Sequence, residues 1–350
     1  MTPPAGAASQ SHPRTVQHTV HHTVHHTVQV PATSANLGAG FDSTGVALDL
    51  HLAARTVDTR AGGPRVVTRG LGAEQLATDD TNLVWRSFVT GCEHLGVAVP
   101  DVGLEVTNRI PLERGLGSSS AAIVAGLVLA RTAVAAPAGV EVTELELVAL
   151  ADRIEGHPDN VAPALLGGLV SCARGDDGKL VVRRINPLAG HVALVLAPEE
   201  RQSTDASRTT LPATLSRADV VDQAARAAHV LVGMTGAWPL DAGLAGDRLH
   251  EPSRLADQPG PAGLIAALRV EGTQAWLSGS GPSVLTLVEV GDAGRQASIR
   301  ALAARSGAAV HELALDRLGA LACPDGGCAL SGVGGCAQCP RERLPWREPA

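Results

Sequence analysis

Alternating apolar and polar positions mark the first strands of this chain. Residues 28–32 (VQVPA), 46–57 (VALDLHLAARTV), 64–69 and 102–107 (VGLEVT) show strand character. Residues 81–96 and 119–134 predict helices, and two further helical stretches surround 143–153 and 217–234. Strands at 191–197 and 274–278 complete an α+β pattern. The charged, irregular run PEERQSTDASRTTLP at 198–212 predicts a surface loop that leads into a second domain.

Composition narrows the reading. A chain of 350 residues exceeds what one core usually organises, so two domains are expected. Charged residues make up 18% and the net charge is −7, which leaves no basic footprint for nucleic acid. The single lysine, Lys179, and the lack of tyrosine read as a bias of composition. The most apolar stretch, AAIVAGLVLARTAVAAPAGV at 121–140, is interrupted by Arg131 and Pro137 and falls short of the roughly 20 apolar residues of a membrane span. It predicts a buried core helix. The N-terminal MTPPAGAASQSHPR lacks the apolar core of a signal peptide, so a cytoplasmic location is expected.

Both ends of the chain differ from its body. Residues 15–28, TVQHTVHHTVHHTV, crowd His18, His21, His22, His25 and His26 together. Such tracts bind transition metals incidentally, and the bland reading is a low-complexity extension over 1–27. The tail over 317–350 carries Cys323, Cys328, Cys336 and Cys339 at Cys-x4-Cys and Cys-x2-Cys spacings. A tetrahedral zinc site accepts those spacings, and a Gly-rich tail of reduced thiols is the alternative. Cys92 and Cys172 lie in apolar surroundings and read as small core residues.

One segment carries chemistry of its own. PLERGLGSSSAA, 111–122, leads through glycines and serines into the predicted core helix. A helix start exposes unpaired N–H groups and a partial positive charge, both of which stabilise an anion. Gly115 and Gly117 let backbone curl around a phosphate, and Ser118, Ser119 and Ser120 add hydroxyl donors or a metal ligand. Serines also cap helices for structural reasons alone. The segment is not a Walker loop, because Gly-Lys-[Ser/Thr] is missing. Any nucleotide bound here must be neutralised by amides, a metal ion and arginines.

Three stretches together resemble the GHMP kinases: PLERGLGSSSAA as a phosphate loop, PATSANLGAGFDSTGVAL at 31–48 as an N-terminal substrate motif, and WLSGSGPSVL at 276–285 as a C-terminal glycine motif. EGHPDNVAPALLGGLV at 155–170 and DRLHEPSR at 247–254 are similar to the branch of that family that phosphorylates L-homoserine. The resemblance covers about residues 28–316. It implies a two-domain α+β GHMP kinase fold. A ribosomal-protein-like ATP-binding domain would span 28–190 and a ferredoxin-like domain 191–316, with the active site between them.

The activity implied is transfer of phosphate from ATP, with Mg2+, to the side-chain hydroxyl of L-homoserine for threonine synthesis. A homodimer is implied as well. For ATP, the resemblance points to Asn82 and to Pro111, Leu112, Glu113, Arg114, Gly115, Leu116, Gly117, Ser118, Ser119, Ser120 and Ala121, with Leu83 and Val84 beside the base. Asn82 also suits a helix N-cap. For Mg2+ it points to Ser118 and Glu155, an oxygen set that suits the ion; the alternative for Glu155 is a surface pair with Arg153. For the amino acid it points to Asn36, Asp42, His157, Asn160, Thr204, Arg208 and Arg254. Asp42 would receive the ammonium, and Arg208 and Arg254 would clamp the carboxylate or the γ-phosphate.

Asn160, Arg208 and Glu155 are the expected catalytic set. Pro158, Asp159 and Asn160 predict a loop in which His157 binds substrate or backbone. Positioning is favoured over deprotonation by a side chain, a reading that a solvent-exposed Asp159 would support. Gly279, Ser280 and Gly281 would approach the phosphate loop from the second domain, although a plain tight turn predicts the same residues. The rivals are a GHMP kinase for a sugar or isoprenoid alcohol, a silent ligand-sensing relative, and a metal-handling protein built on the two ends.

Overall fold

Pro31 decides the shape of the first sheet. In the computed structural model, which describes residues 26–59, 62–198 and 211–323, β1 (Thr27–Ala35) runs antiparallel to β2 (Thr44–Asp58). The register shifts between Pro31 and Ala32, whose partners are His51 and Leu48. Proline has no N–H to give the ladder, and a bulge absorbs the gap. The 15-residue β2 pairs along its second half with β4 (Val102–Asn108) and through Thr44–Val46 with β5 (Leu169–Arg174). β6 (Leu180–Ile185) extends β5, β3 (Val66–Gly70) lies parallel to β4, and β11 (Leu321–Cys323) closes the outer edge of β1. Cys323 of the tail is thereby buried in this sheet, while Cys328, Cys336, Cys339 and the histidines of 18–25 lie outside the described residues.

Four helices cover the sheet: α1 (Leu83–His94), α2 (Ser118–Leu129, prolonged by a wider π turn over Ala130–Ala135), α3 (Glu144–Glu155) and α4 (Pro158–Leu166). Every residue of α2 from Ser120 to Leu129 is buried. A helix with no polar face belongs at the centre, and α2 packs against β1, β2, α1, α3 and α4. Residues 118–135 are long and apolar enough to cross a membrane, yet 72% of that window is buried inside the fold. It is the core helix that the sequence predicts. Cys92 and Cys172 are buried core residues, again as predicted.

One local expectation fails. His157–Asn160 is not a loop: His157 is the N-cap of α4, with Pro158 at its first position. Proline starts a helix well, since the first N–H groups have no intrahelical partner anyway, and α4 tolerates a second proline, Pro163, inside it.

The second sheet runs β10–β7–β9–β8, from β7 (His191–Ala197), β8 (Ala275–Leu277), β9 (Val284–Glu289) and β10 (Ala309–Ala314), all antiparallel. Helices α5 (Arg217–Met234), α6 (Glu251–Ala256) and α7 (Pro259–Val270) lie between β7 and β8, and α8 (Ala293–Arg305) between β9 and β10. This is the ferredoxin-like arrangement. Strand alternation splits its side chains between two cores. Leu194, Leu196, Leu277 and Val284 pack with Leu264 and Leu268 of α7 and Ile299 of α8. Val195, Trp276, Leu285 and Leu287 face the other way and join the core of the first sheet.

Glycine sets the closest helix contact. A Cβ on Gly126 of α2 would stand 2.4 Å from the Val84 carbonyl oxygen and 2.7 Å from the Phe88 amide of α1. Gly126→Ala therefore forces the helices apart and lowers stability by about 1–2 kcal/mol net of its gain in helix propensity. Gly263 of α7, whose added Cβ meets nothing within 4 Å, gives the opposite sign on Gly263→Ala, a gain of about 0.5–1 kcal/mol. Urea midpoints of the two variants check the pair.

Candidate active site

A turn of left-handed residues opens the site. After β1, Asn36, Leu37, Gly38 and Asp42 all take positive φ. The turn is held by its own hydrogen bonds: Asn36 N–H donates to Thr44 O at 2.8 Å, and the Asp42 amide donates to Asn36 Oδ1 at 3.1 Å. Asn36 Nδ2 reaches the second sheet, donating to Gly279 O at 3.1 Å.

The loop after β4 forms the opposite wall. Asn108 anchors its start, with Nδ2 2.9 Å from both Leu71 O and Ile110 O. Gly115 and Gly117 have φ of +69° and +68°, the left-handed region that favours glycine. Space demands glycine as well: a Cβ on Gly115 would stand 2.0 Å from Ser278 O, and one on Gly117 2.0 Å from Thr33 Oγ1. Gly117 is the N-cap of α2 and, as a glycine, offers that helix no side-chain cap. Its first amides are thus left to the cavity.

A cavity of about 400 Å3 lies between these walls. Asn36, Asp42, Asn82, Glu155, His157, Asn160 and Arg254 all line it, as does the loop from Pro111 to Ser120. Leu83 and Val84 line it too, and Gly279 and Ser280 reach it from the second sheet. Ala121 does not: fully buried, it backs the loop from behind. Thr204 and Arg208 lie outside the described residues.

Local contacts sort several expectations. Asn82 is a helix N-cap, its Oδ1 accepting from Val84 N–H at 2.9 Å, and a lining residue at once. Glu155 does not pair with Arg153; its Oε1 accepts from Ser119 Oγ at 2.9 Å and Ser120 Oγ at 2.8 Å. Ser118, expected to share the ion with Glu155, lines the same cavity. Arg114 donates to the Pro198 carbonyl.

Asp159 departs from expectation. It is not solvent-exposed but 2% accessible, and bonds His157 Nδ1 at 2.5 Å. The first turn of α4 turns it inward, whereas a loop would have released it. Ligand atoms of Asp42, His157 and Asp159 all lie within 4.8 Å of one another. Behind them the Cys172 thiol is pushed up to about 12 by burial, then by the Asp159 and Asp152 carboxylates, against the opposing charge of Arg174. Thr33 was not foreseen: its hydroxyl donates to Asn160 Oδ1 at 2.7 Å, and its amide holds Leu116 O at 3.1 Å.

Comparison with known proteins gives the family. The family described as GHMP kinases N terminal domain matches residues 82–168, the span from α1 through the 111–120 loop to the end of α4. A homoserine kinase of Leifsonia xyli subsp. xyli is 40% identical over 299 residues, 83% of this chain and 90% of that relative. The chain belongs to the homoserine kinases of the GHMP family. A homoserine kinase of Desulfitobacterium hafniense is also 40% identical, over 74% of this chain and 86% of its own length. The crystal structure of homoserine kinase from Cytophaga hutchinsonii superposes with a TM-score of 0.71 at 25% identity, covering 91% of this chain and 100% of that one.

In this chain the Thr33 hydroxyl fixes which way the Asn160 amide turns. With Oδ1 occupied, Nδ2 is the group left for a ligand. Thr33→Val deletes the donor at nearly constant volume and is expected to lower turnover about tenfold, while Thr33→Ser retains most of it. Steady-state kinetics of the two variants, side by side, measure the difference.

Proposed function

We propose that this chain transfers the γ-phosphoryl group of ATP to the side-chain hydroxyl of L-homoserine, giving O-phospho-L-homoserine and ADP on the route to threonine. The observation that carries the proposal is one cavity bounded by a glycine loop at a helix start and by a wall with both signs of charge, Asp42 and Arg254. A zwitterionic alcohol and a polyphosphate are the pair that such walls suit. A cytoplasmic setting and a homodimer follow from the same family reading.

Phosphoryl transfer asks for in-line positioning and for charge stabilisation. The loop amides at the front of α2 take the phosphates, with Asn82, Leu83 and Val84 toward the base. For the acceptor, Asp42 with His157 receives the ammonium and Arg254 the carboxylate, with Asn36, Thr204 and Arg208 as further contacts. Asn160, through Nδ2, and Arg208 are the residues proposed to act on the reacting hydroxyl. The bond from the γ-phosphorus to the ADP oxygen breaks as the hydroxyl oxygen bonds to phosphorus, and the hydroxyl proton leaves late, to the transferred phosphate. Asp159 holds His157 in place, so its part is orientation.

The residues present fit Mg2+. Glu155 and the serine hydroxyls form an all-oxygen set at the mouth of the loop, the donor chemistry that this ion prefers. When bound, Mg2+ neutralises phosphate charge that no lysine of the loop is there to meet. Glu155 and Ser118 are the proposed ligands, with Ser119 and Ser120 setting the carboxylate.

An ADP-release assay with homoserine, serine, threonine and mevalonate in parallel tests the substrate. Turnover with homoserine is expected; phosphate appearing on mevalonate alone overturns the reading. Glu155→Gln is expected to lower kcat by about two orders of magnitude, the scale of one lost electrostatic contact to the transition state, and to raise the Mg2+ concentration needed for half-maximal rate. Unchanged kcat and Mg2+ dependence would remove Glu155 from the ion.

A further inference from the structure

His250 is fully buried at the N-cap of α6, and its ring has its two nitrogens on different partners. Nε2 lies 2.9 Å from Gly38 O. A carbonyl only accepts, so Nε2 carries the proton, and Nδ1 of the neutral ring holds a lone pair. That lone pair faces Arg254 Nη1 at 3.4 Å, one turn along the chain. The same Nη1 donates to Gly279 O at 2.8 Å.

The surroundings hold the ring still. The Asp247 carboxylate accepts the amides of His250 and Glu251, and its Oδ2 stands 3.6 Å from His250 Nε2. Phe41 stacks on the imidazole at 5.1 Å and 26°, and the Arg254 guanidinium lies over the same phenyl ring at 5.2 Å. Imidazole, phenyl ring and Gly279 carbonyl thus fix the guanidinium from three sides. Gly38 and Phe41 belong to the turn that presents Asp42, so His250 ties the cation of the cavity wall to the loop that carries its anion.

We propose that His250 is a positioning and specificity-determining residue for the amino-acid acceptor: its neutral ring, accepting at Nδ1, aims Arg254 at the acceptor carboxylate. The inference rests on the reading of Arg254 as the carboxylate clamp. It explains why a histidine sits wholly buried where an apolar residue of like size would pack. Only an imidazole, or a group that imitates it, gives to a carbonyl on one edge and takes from a guanidinium on the other.

Glutamine imitates Nε2 and asparagine imitates Nδ1, which separates the two edges. His250→Gln is expected to raise KM for homoserine about tenfold with kcat and KM for ATP within about twofold, while His250→Asn recovers most of the loss. The inhibition constant of 3-aminopropan-1-ol, which is homoserine without its carboxylate, should not change in His250→Gln. Equal penalties on homoserine and on this amine, or KM for ATP rising in step with KM for homoserine, would overturn the proposal. So would His250→Asn behaving like His250→Gln.

If neither variant folds, 15N spectra of the imidazoles in the wild-type protein decide. Nδ1 of His250 unprotonated and shifting with homoserine, but not with 3-aminopropan-1-ol, is the expected result, and a protonated Nδ1 is the contrary one. Failure here with homoserine turnover intact leaves the kinase activity standing, whereas absence of homoserine turnover in the wild-type protein removes that activity itself.

Discussion

The cavity depends on two backbones meeting at Gly115. Ser278 O would lie 2.0 Å and Gly281 O 3.0 Å from a Cβ at that position, so no side chain fits between the 111–120 loop and the glycine turn of the second sheet. A polar chain fastens the contact. Trp276 Nε1 donates to Ser34 Oγ at 3.1 Å; Ser278 Oγ lies 2.8 Å from Ser34 Oγ and 2.6 Å from Gly115 O. A hydroxyl has one proton and a carbonyl only accepts, so the bonds run in one direction, from indole through Ser34 and Ser278 to the loop. All three side chains are fully buried, where an unmade bond is expensive. The loop is therefore shaped by both sheets together, and the cavity exists only when they are docked.

Rigidity behind the loop comes from a different source. Helix α2 carries no cap side chain and no exposed face past its first turn, so packing, not helix propensity, holds it. Gly91 and Gly126 bring α1 to near-contact with it, and α4 closes over its start. A helix so enclosed is held in place by its packing, and in the proposed function its first amides would meet the phosphates without reorganisation. Thr33, on β1, then joins Leu116 of the loop to Asn160 of α4. Strand, loop and helix are thus hydrogen-bonded to one another.

Much of this was legible in the chain, for physical reasons that also mark the limit. β4 alternates along its second half because one face is buried, β1 is buried at every position but Gln29, and α2 stood out because it is apolar all round. β10 (AVHELA) escaped notice because it is a largely exposed edge with no contrast between its faces. α4 was hidden by Pro158, Asp159 and Asn160, residues that begin helices and turns alike. Motif residues such as Gly115, Gly117 and Ser119 are contiguous and could be read directly. Thr33–Asn160 and Ser278–Gly115, 127 and 163 residues apart, are products of docking that no local pattern encodes.

One side chain sets the charge geometry of the wall. Asn36 Nδ2 and Arg254 Nη1 donate to the same Gly279 carbonyl, while Asn36 Oδ1 receives the amide of Asp42. The cationic and anionic groups of the proposed acceptor site are thus joined through a single carboxamide, in a turn whose positive φ values leave it few other shapes. A zwitterion held at both ends has its remaining substituent aimed by elimination. For L-homoserine that substituent ends in the hydroxyl. An isoprenoid or sugar alcohol has no ammonium to place at Asp42, and would leave that carboxylate and the His157–Asp159 pair facing carbon. Discrimination of this kind arises from groups left unpaired by the wrong ligand, which costs more than a poor fit of shape.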